Sequence, residues 1–162
     1  MIKSAIISDC GAYRYRLSRQ WDESCYSLPI IMLNPSTADA NIDDPTIRRC
    51  ISFAKREGYG GIIVMNLFAF RATSPDNMKD ATDPFGPDLL DHIGEMFDYA
   101  TLHRTPILAA WGAHGIYKSA EKEMKQLAKR SGVDLVCLGK TAAGHPRHPL
   151  YVKGDQPMEH FS

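Results

Sequence analysis

The chain has 162 residues, 44% hydrophobic and 23% charged, an ordinary globular composition expected to form one domain over residues 1–162. Its formal net charge of +0 excludes a protein that coats duplex DNA by bulk electrostatics, while leaving room for a local basic groove. No apolar run approaches the ~18 residues of a membrane span, and Met1 to Gly11 is too short and polar for a signal peptide, so a cytoplasmic protein is expected.

The first element in chain order is Tyr13-Arg14-Tyr15-Arg16-Leu17, where apolar and basic residues alternate as in an exposed antiparallel ribbon. Four short apolar runs follow, Leu28–Leu33, Gly61–Met65, Pro106–Ala110 and Val133–Leu138, each bounded by turn residues as buried strands are. Helical patterns separate them. Asp44-Pro45 reads as an N-cap and first helical residue, followed by an Ile47, Ile51, Ala54 stripe and Gly58 just past the end. Asp88–Ala100 carries Leu89, Leu90, Ile93 and Phe97, and a third helix carries Ile116, Ala120, Met124, Leu127 and Ala128 up to Gly132. Strands joined by helical crossovers predict an α/β fold: three αβα layers around a central four-stranded parallel sheet, plus the N-terminal ribbon.

Ligands of open parallel sheets bind beyond the carboxyl ends of the strands. Those ends are Asn34-Pro35-Ser36, Asn66-Leu67-Phe68-Ala69-Phe70-Arg71, Trp111-Gly112-Ala113-His114 and the loop Gly139 to Pro149. Amides, imidazoles, an indole and cations thus gather at one rim. Taken singly, each has a plainer explanation: turn caps for Ser36, loop amides for Asn66, packing for Trp111. Asp39, Asp43 and Asp44 are read mainly as caps and solvated loop residues. From Lys140 to Lys153 there are three basic residues and no acid, whereas Asp76–Asp98 holds seven acids against Lys79 alone. The basic rim favours an anionic ligand, with Lys140, Arg147 and Arg71 as its candidate holders. The four cysteines (Cys10, Cys25, Cys50, Cys137) form no CxxC, and the histidines form no HxH or HxxxH, so neither a metal nor another cofactor is expected. Scattered thiols of this kind are expected to be buried and reduced.

Asn-Pro after the first strand, Asn closing the second, Trp-Gly after the third and a His-Pro loop after the fourth together resemble the uracil-DNA glycosylase superfamily. The runs NPSTAD, DPTIRRC, VMNLFAFRAT, AWGAHG and GHPRHPLY, spread over residues 28–151, look like a bacterial and phage domain family of unknown function within that superfamily. The resemblance implies that Asn34 positions an attacking water, Pro35 shapes its turn and Asn66 reads a base edge. It implies that His145 stabilises the departing base, and that Phe68 or Phe70 stacks on it. Two departures stand out. Asn34 orients water but cannot accept its proton, and Arg147 with His148 interrupts the usual His-Pro-Ser-Pro run, making His148 a rival of His145.

The leading expectation is therefore hydrolysis of an N-glycosidic bond in a nucleotide or nucleic acid, single-stranded as readily as duplex. Two alternatives are a non-catalytic module that binds a nucleotide or modified base, and an accessory interaction protein for which the rim is irrelevant. Under the first, Asn34, Asn66 and His145 converge on one cleft.

Overall fold

A computed structural model describes all residues from Met1 to Ser162. Seven strands form one mixed sheet: β1 (Ile2–Ile7), β2 (Arg14–Gln20), β3 (Ser27–Met32), β4 (Gly61–Asn66), β5 (Ile107–Ala109), β6 (Leu135–Cys137) and β7 (Glu159–His160). Four helices pack on it: α1 (Pro45–Arg56), the single-turn α2 (Pro75–Lys79), α3 (Leu89–His103) and α4 (Ala120–Ser131). The spatial order is β1-β2-β4-β3-β5-β6-β7.

The expected four-stranded sheet is thus extended. The four apolar runs pair in parallel at the centre, β4-β3-β5-β6, while β2 joins β4 and β7 joins β6 antiparallel. The N-terminal ribbon is not exposed as expected. Without it β4 would be an edge, and β2 covers that edge with Leu17 opposite Val64, burying Tyr15, Leu17 and Arg19.

Each face of the sheet has its own core. Leu28, Ile30, Ile62, Val64 and Leu108 pack under α1 through Ile47, Cys50 and Ala54. On the other face Ile31, Ile63, Ile107 and Leu135 pack under α3 and α4 through Ile93, Phe97, Met124 and Ala128. This residue-by-residue alternation between faces is what a sheet covered on both sides requires. Asp44 caps α1 by accepting the Ile47 N–H at 2.9 Å, and Gly58 takes φ +82° just past the helix, as the residue types predict.

Two stripe residues lie elsewhere. Leu90 is 83% exposed because the buried α3 stripe runs Leu89, Ile93, Phe97, Ala100, one helical step away. Ile116 belongs to a 3₁₀ segment, Ala113–Ser119, because left-handed Lys118 and Ser119 (φ 50° and 59°) break the chain before α4 starts. Of the thiols, Cys50 and Cys137 are buried, but Cys10 and Cys25 are exposed, and all four are free. No helix is long and apolar enough to cross a membrane.

Candidate functional site

After β3 the chain crosses by α1 to β4 on one side; after β4 it crosses by α3 to β5 on the other side of β3. The helices following β3 and β5 therefore lie on opposite faces, and a crevice opens between those strand ends. A cavity of about 390 Å³ occupies it. This is within the range of small-molecule sites, roughly 300–1,000 Å³.

Its floor is built from strand ends: Asn34 after β3, Asn66 closing β4, and Trp111 with Gly112 after β5. One wall is the start of α1, with Asp44, Pro45 and Thr46; the opposite wall carries Thr73 and Pro75. His148, Leu150 and Tyr151, the short 3₁₀ turn after the His-Pro loop, close the mouth together with His114. Ser36 and Arg14 also line it.

Asn66 is 2% exposed, yet its side chain makes no hydrogen bond, and Nδ2 is fully buried without a partner. A loop-tying amide would be bonded to the loop it ties; this one is not. Asn34 is different. Its Nδ2 donates to the Ala72 carbonyl at 2.9 Å and to the Pro35 carbonyl at 3.2 Å, pinning the two strand-end loops together and leaving Oδ1 as the free acceptor. Pro35 is buried and accepts the Ala72 N–H at 2.9 Å, so it reinforces the same junction without lining the cavity.

The rival histidines separate. His148 lines the cavity; its Nδ1 accepts the Leu150 N–H at 3.2 Å, which places the ring proton on Nε2. Burial holds this imidazole below its ordinary pKa, with Asp44 opposing in part, so it stays neutral at pH 7. His145 does not line the cavity. Its Nδ1 sits 3.0 Å from Oε2 of Glu121, which is 7% exposed at the start of α4. The expected meeting of Asn34, Asn66 and His145 is corrected to Asn34, Asn66 and His148.

The other expected site residues divide in the same way. Trp111 lines the cavity, 1% exposed, with its Nε1 unpartnered. Phe68 is fully buried in the α3–α4 core against Phe85 and Tyr117, and Phe70 packs edge-on against Tyr13; neither ring reaches the cavity. Lys140 and Arg147 are exposed on the hairpin closed by the Lys140–Pro146 bridge, with Arg147 Nε donating to the Lys140 carbonyl at 3.1 Å. Arg71 is half-buried beside Ala12 and also stays outside.

The cation on the cavity is instead Arg14. In β2, Ile6 and Ile7 of β1 pair with Arg16 and Arg14, so Tyr15 is an extra, bulged residue. A bulge re-aims the side chains beyond it. Tyr15 turns to the α3 face, and Arg14 joins Leu17 and Arg19 on the α1 face, where Nη1 donates to the Ala38 carbonyl at 2.8 Å. Arg19 is fully satisfied, with Nε on Asp43 at 2.7 Å and further carbonyls around it. Arg14, 3% exposed, has no carboxylate partner and an unpaired Nε. Desolvation lowers its pKa to about 10, despite the nearby Asp44.

The loop carboxylates are likewise sorted. Asp43 holds Arg19, and Asp39 accepts the N–H groups of Asn41 and Ile42. Asp44 alone is an acid on the cavity, and its second oxygen is not used by the cap. No cluster of three or more His, Cys, Asp or Glu side chains gathers at metal-holding distance.

Residues 14–150 match the family described as Protein of unknown function (DUF1643). Searches of curated proteins and of solved structures returned no match, so the likeness to uracil-DNA glycosylases rests on the strand-end motifs alone.

Proposed function

From membership of the DUF1643 family, to which this chain belongs and whose description assigns no activity, we propose on the geometry of the cavity that the protein hydrolyses an N-glycosidic bond of a nucleotide. The observation that carries this reading is the unpaired amide of Asn66 at the bottom of a cavity that also holds Asn34, Asp44 and His148. A buried amide without a partner costs about 1–3 kcal/mol, and a ligand that draws the Asn66 side chain round to present Nδ2 to the cavity recovers it.

The remaining groups suit the same reaction. A water oriented by Asn34 Oδ1 attacks the anomeric carbon, and its proton passes to the Asp44 carboxylate. The carbon–nitrogen bond breaks with its electron pair going to the base, where the Nε2–H of His148 donates to the developing anion. Asn34 cannot act as the base, and Asp44 supplies the acceptor that the Asn-Pro motif lacks. The exposed ring of Tyr151 at the mouth offers a surface for stacking in place of Phe68 and Phe70.

The test is release of free base from a panel of nucleosides, nucleoside monophosphates and single-stranded oligonucleotides incubated with the full chain. Release that disappears with His148→Gln supports the reading. Saturable binding without release from any member points instead to the non-catalytic binding module, and absence of both removes the cavity from the function.

A further inference from the structure

Arg14 poses a problem of its own. Arg14 is 3% exposed, borders the cavity, and its guanidinium has one carbonyl partner and no carboxylate within ion-pair distance. A buried, singly hydrogen-bonded charge is costly, and proteins retain one where a ligand completes it. The neighbouring donors are also idle. Pro45 opens α1 without an N–H and Asp44 takes that of Ile47, but the Thr46 N–H has no partner. The hydroxyls of Ser36, Thr37, Thr46 and Thr73 line the cavity and bond to no protein group. The start of a twelve-residue helix adds its partial positive charge to the same corner.

We infer that this corner is a phosphate subsite, formed by Arg14 and the start of α1, and that the ligand is a free mononucleotide rather than a nucleic-acid strand. The depth of Arg14 decides between the two. A polymer keeps its phosphodiesters along the protein surface, whereas Arg14 sits below that surface in the cavity wall. The terminal phosphate of a small ligand enters the cavity whole. Lys140, Arg147 and Arg71, the cations expected to hold a strand, all lie off the cavity, and the net charge is +0. The assignment of the base end rests on the glycosidic reading; the phosphate end does not.

Affinity measured by calorimetry for nucleosides, their 5′-monophosphates, inorganic phosphate and a single-stranded oligonucleotide tests the inference. Each monophosphate should bind about ten- to a hundredfold tighter than its nucleoside, as a charge-assisted pair provides, and tighter than inorganic phosphate alone. In Arg14→Gln that advantage should shrink below about threefold. If Arg14→Gln does not fold, the wild-type comparison still stands, and Arg14→Lys, which keeps charge without the planar fork, should lose part of the advantage. Equal binding of nucleoside and monophosphate, an advantage that survives Arg14→Gln, or tighter binding of the oligonucleotide would each overturn the subsite. Base release without a phosphate advantage removes this inference and leaves the hydrolase; a phosphate advantage without base release does the reverse.

Discussion

Nδ1 of His145 lies 3.0 Å from Oε2 of Glu121, and that contact joins the His-Pro loop to the buried start of α4 rather than to the cavity. Glu121 also holds Lys125 at 3.3 Å, one turn along the helix. The pair is therefore structural. His145→Gln should cost stability, about 1.5–3 kcal/mol for a hydrogen bond to a largely buried carboxylate. It should leave ligand affinity within about threefold. His148→Gln should lose turnover, at a smaller cost in melting temperature than His145→Gln, since only the Leu150 N–H contact goes with it. Thermal melts and base-release rates on the two variants check this, and a silent His148→Gln with a dead His145→Gln would exchange their roles.

Asn66 should behave as a residue kept for its ligand. Because its side chain is buried and unbonded, replacing it by the similarly sized Leu removes a desolvated amide without breaking any contact. Asn66→Leu should leave the melting temperature unchanged or raise it, while ligand affinity falls about ten- to a hundredfold. A lower melting temperature would mean that the amide is satisfied in the folded protein, and that its place on the cavity is incidental.

These two histidines and two asparagines show how far residue order alone reaches. Strand ends are legible because apolar runs bounded by turns mark them, and a parallel sheet brings its carboxyl ends together whatever the loops do. That logic locates Asn34, Asn66, Trp111 and the His-Pro loop. It cannot choose between His145 and His148, since the choice depends on Glu121, 24 residues away. Arg14 was hidden for another reason. Alternation from Tyr13 to Leu17 assigns Arg14 and Leu17 to opposite faces, and only the bulge at Tyr15 returns them to the same one. Asp44 was concealed by a correct reading: it is an N-cap, and a cap employs one of two carboxylate oxygens. The aromatic pair Phe68 and Phe70 follows a strand end just as a stacking pair would, and nothing local distinguishes that from core packing.

Acid should weaken the fold through His148. Burial lowers its pKa below the ordinary imidazole value of about 6.5, so across that interval the unfolded chain binds a proton that the folded chain does not. Stability therefore rises with pH through the window and is lost on acidification. Protonation at Nδ1 also removes the acceptor for the Leu150 N–H at the start of the 3₁₀ turn. The difference in melting temperature between about pH 7.5 and pH 5.5 should shrink in His148→Gln. Every other group is common to the two proteins and cancels in the comparison. An unchanged difference would place the acid sensitivity elsewhere.

Asp44 allows its two duties to be separated by a single pair of substitutions. As a cap, its Oδ1 accepts the Ile47 N–H at 2.9 Å, and Asn caps as well as Asp does. Asp44→Asn should therefore hold stability within about 0.5 kcal/mol, whereas Asp44→Ala should lose about 1 kcal/mol. As the acceptor of the water proton, however, the carboxylate cannot be replaced by an amide, and base release should fall by about 10²–10⁴-fold in both variants. Asp44 also opposes the desolvation of Arg14 and of His148, so its charge is felt across the cavity. Removing that charge in Asp44→Asn takes away the repulsion facing an incoming phosphate, so monophosphate affinity should rise while turnover collapses. A pure capping residue gives a different pattern: Asp44→Asn would match the wild type in both rate and affinity, and Asp44→Ala would fail in proportion to its lost stability. Rate, affinity and melting temperature measured on both variants distinguish the patterns, and the capping pattern would leave the cavity a place to bind a nucleotide with no group able to activate water.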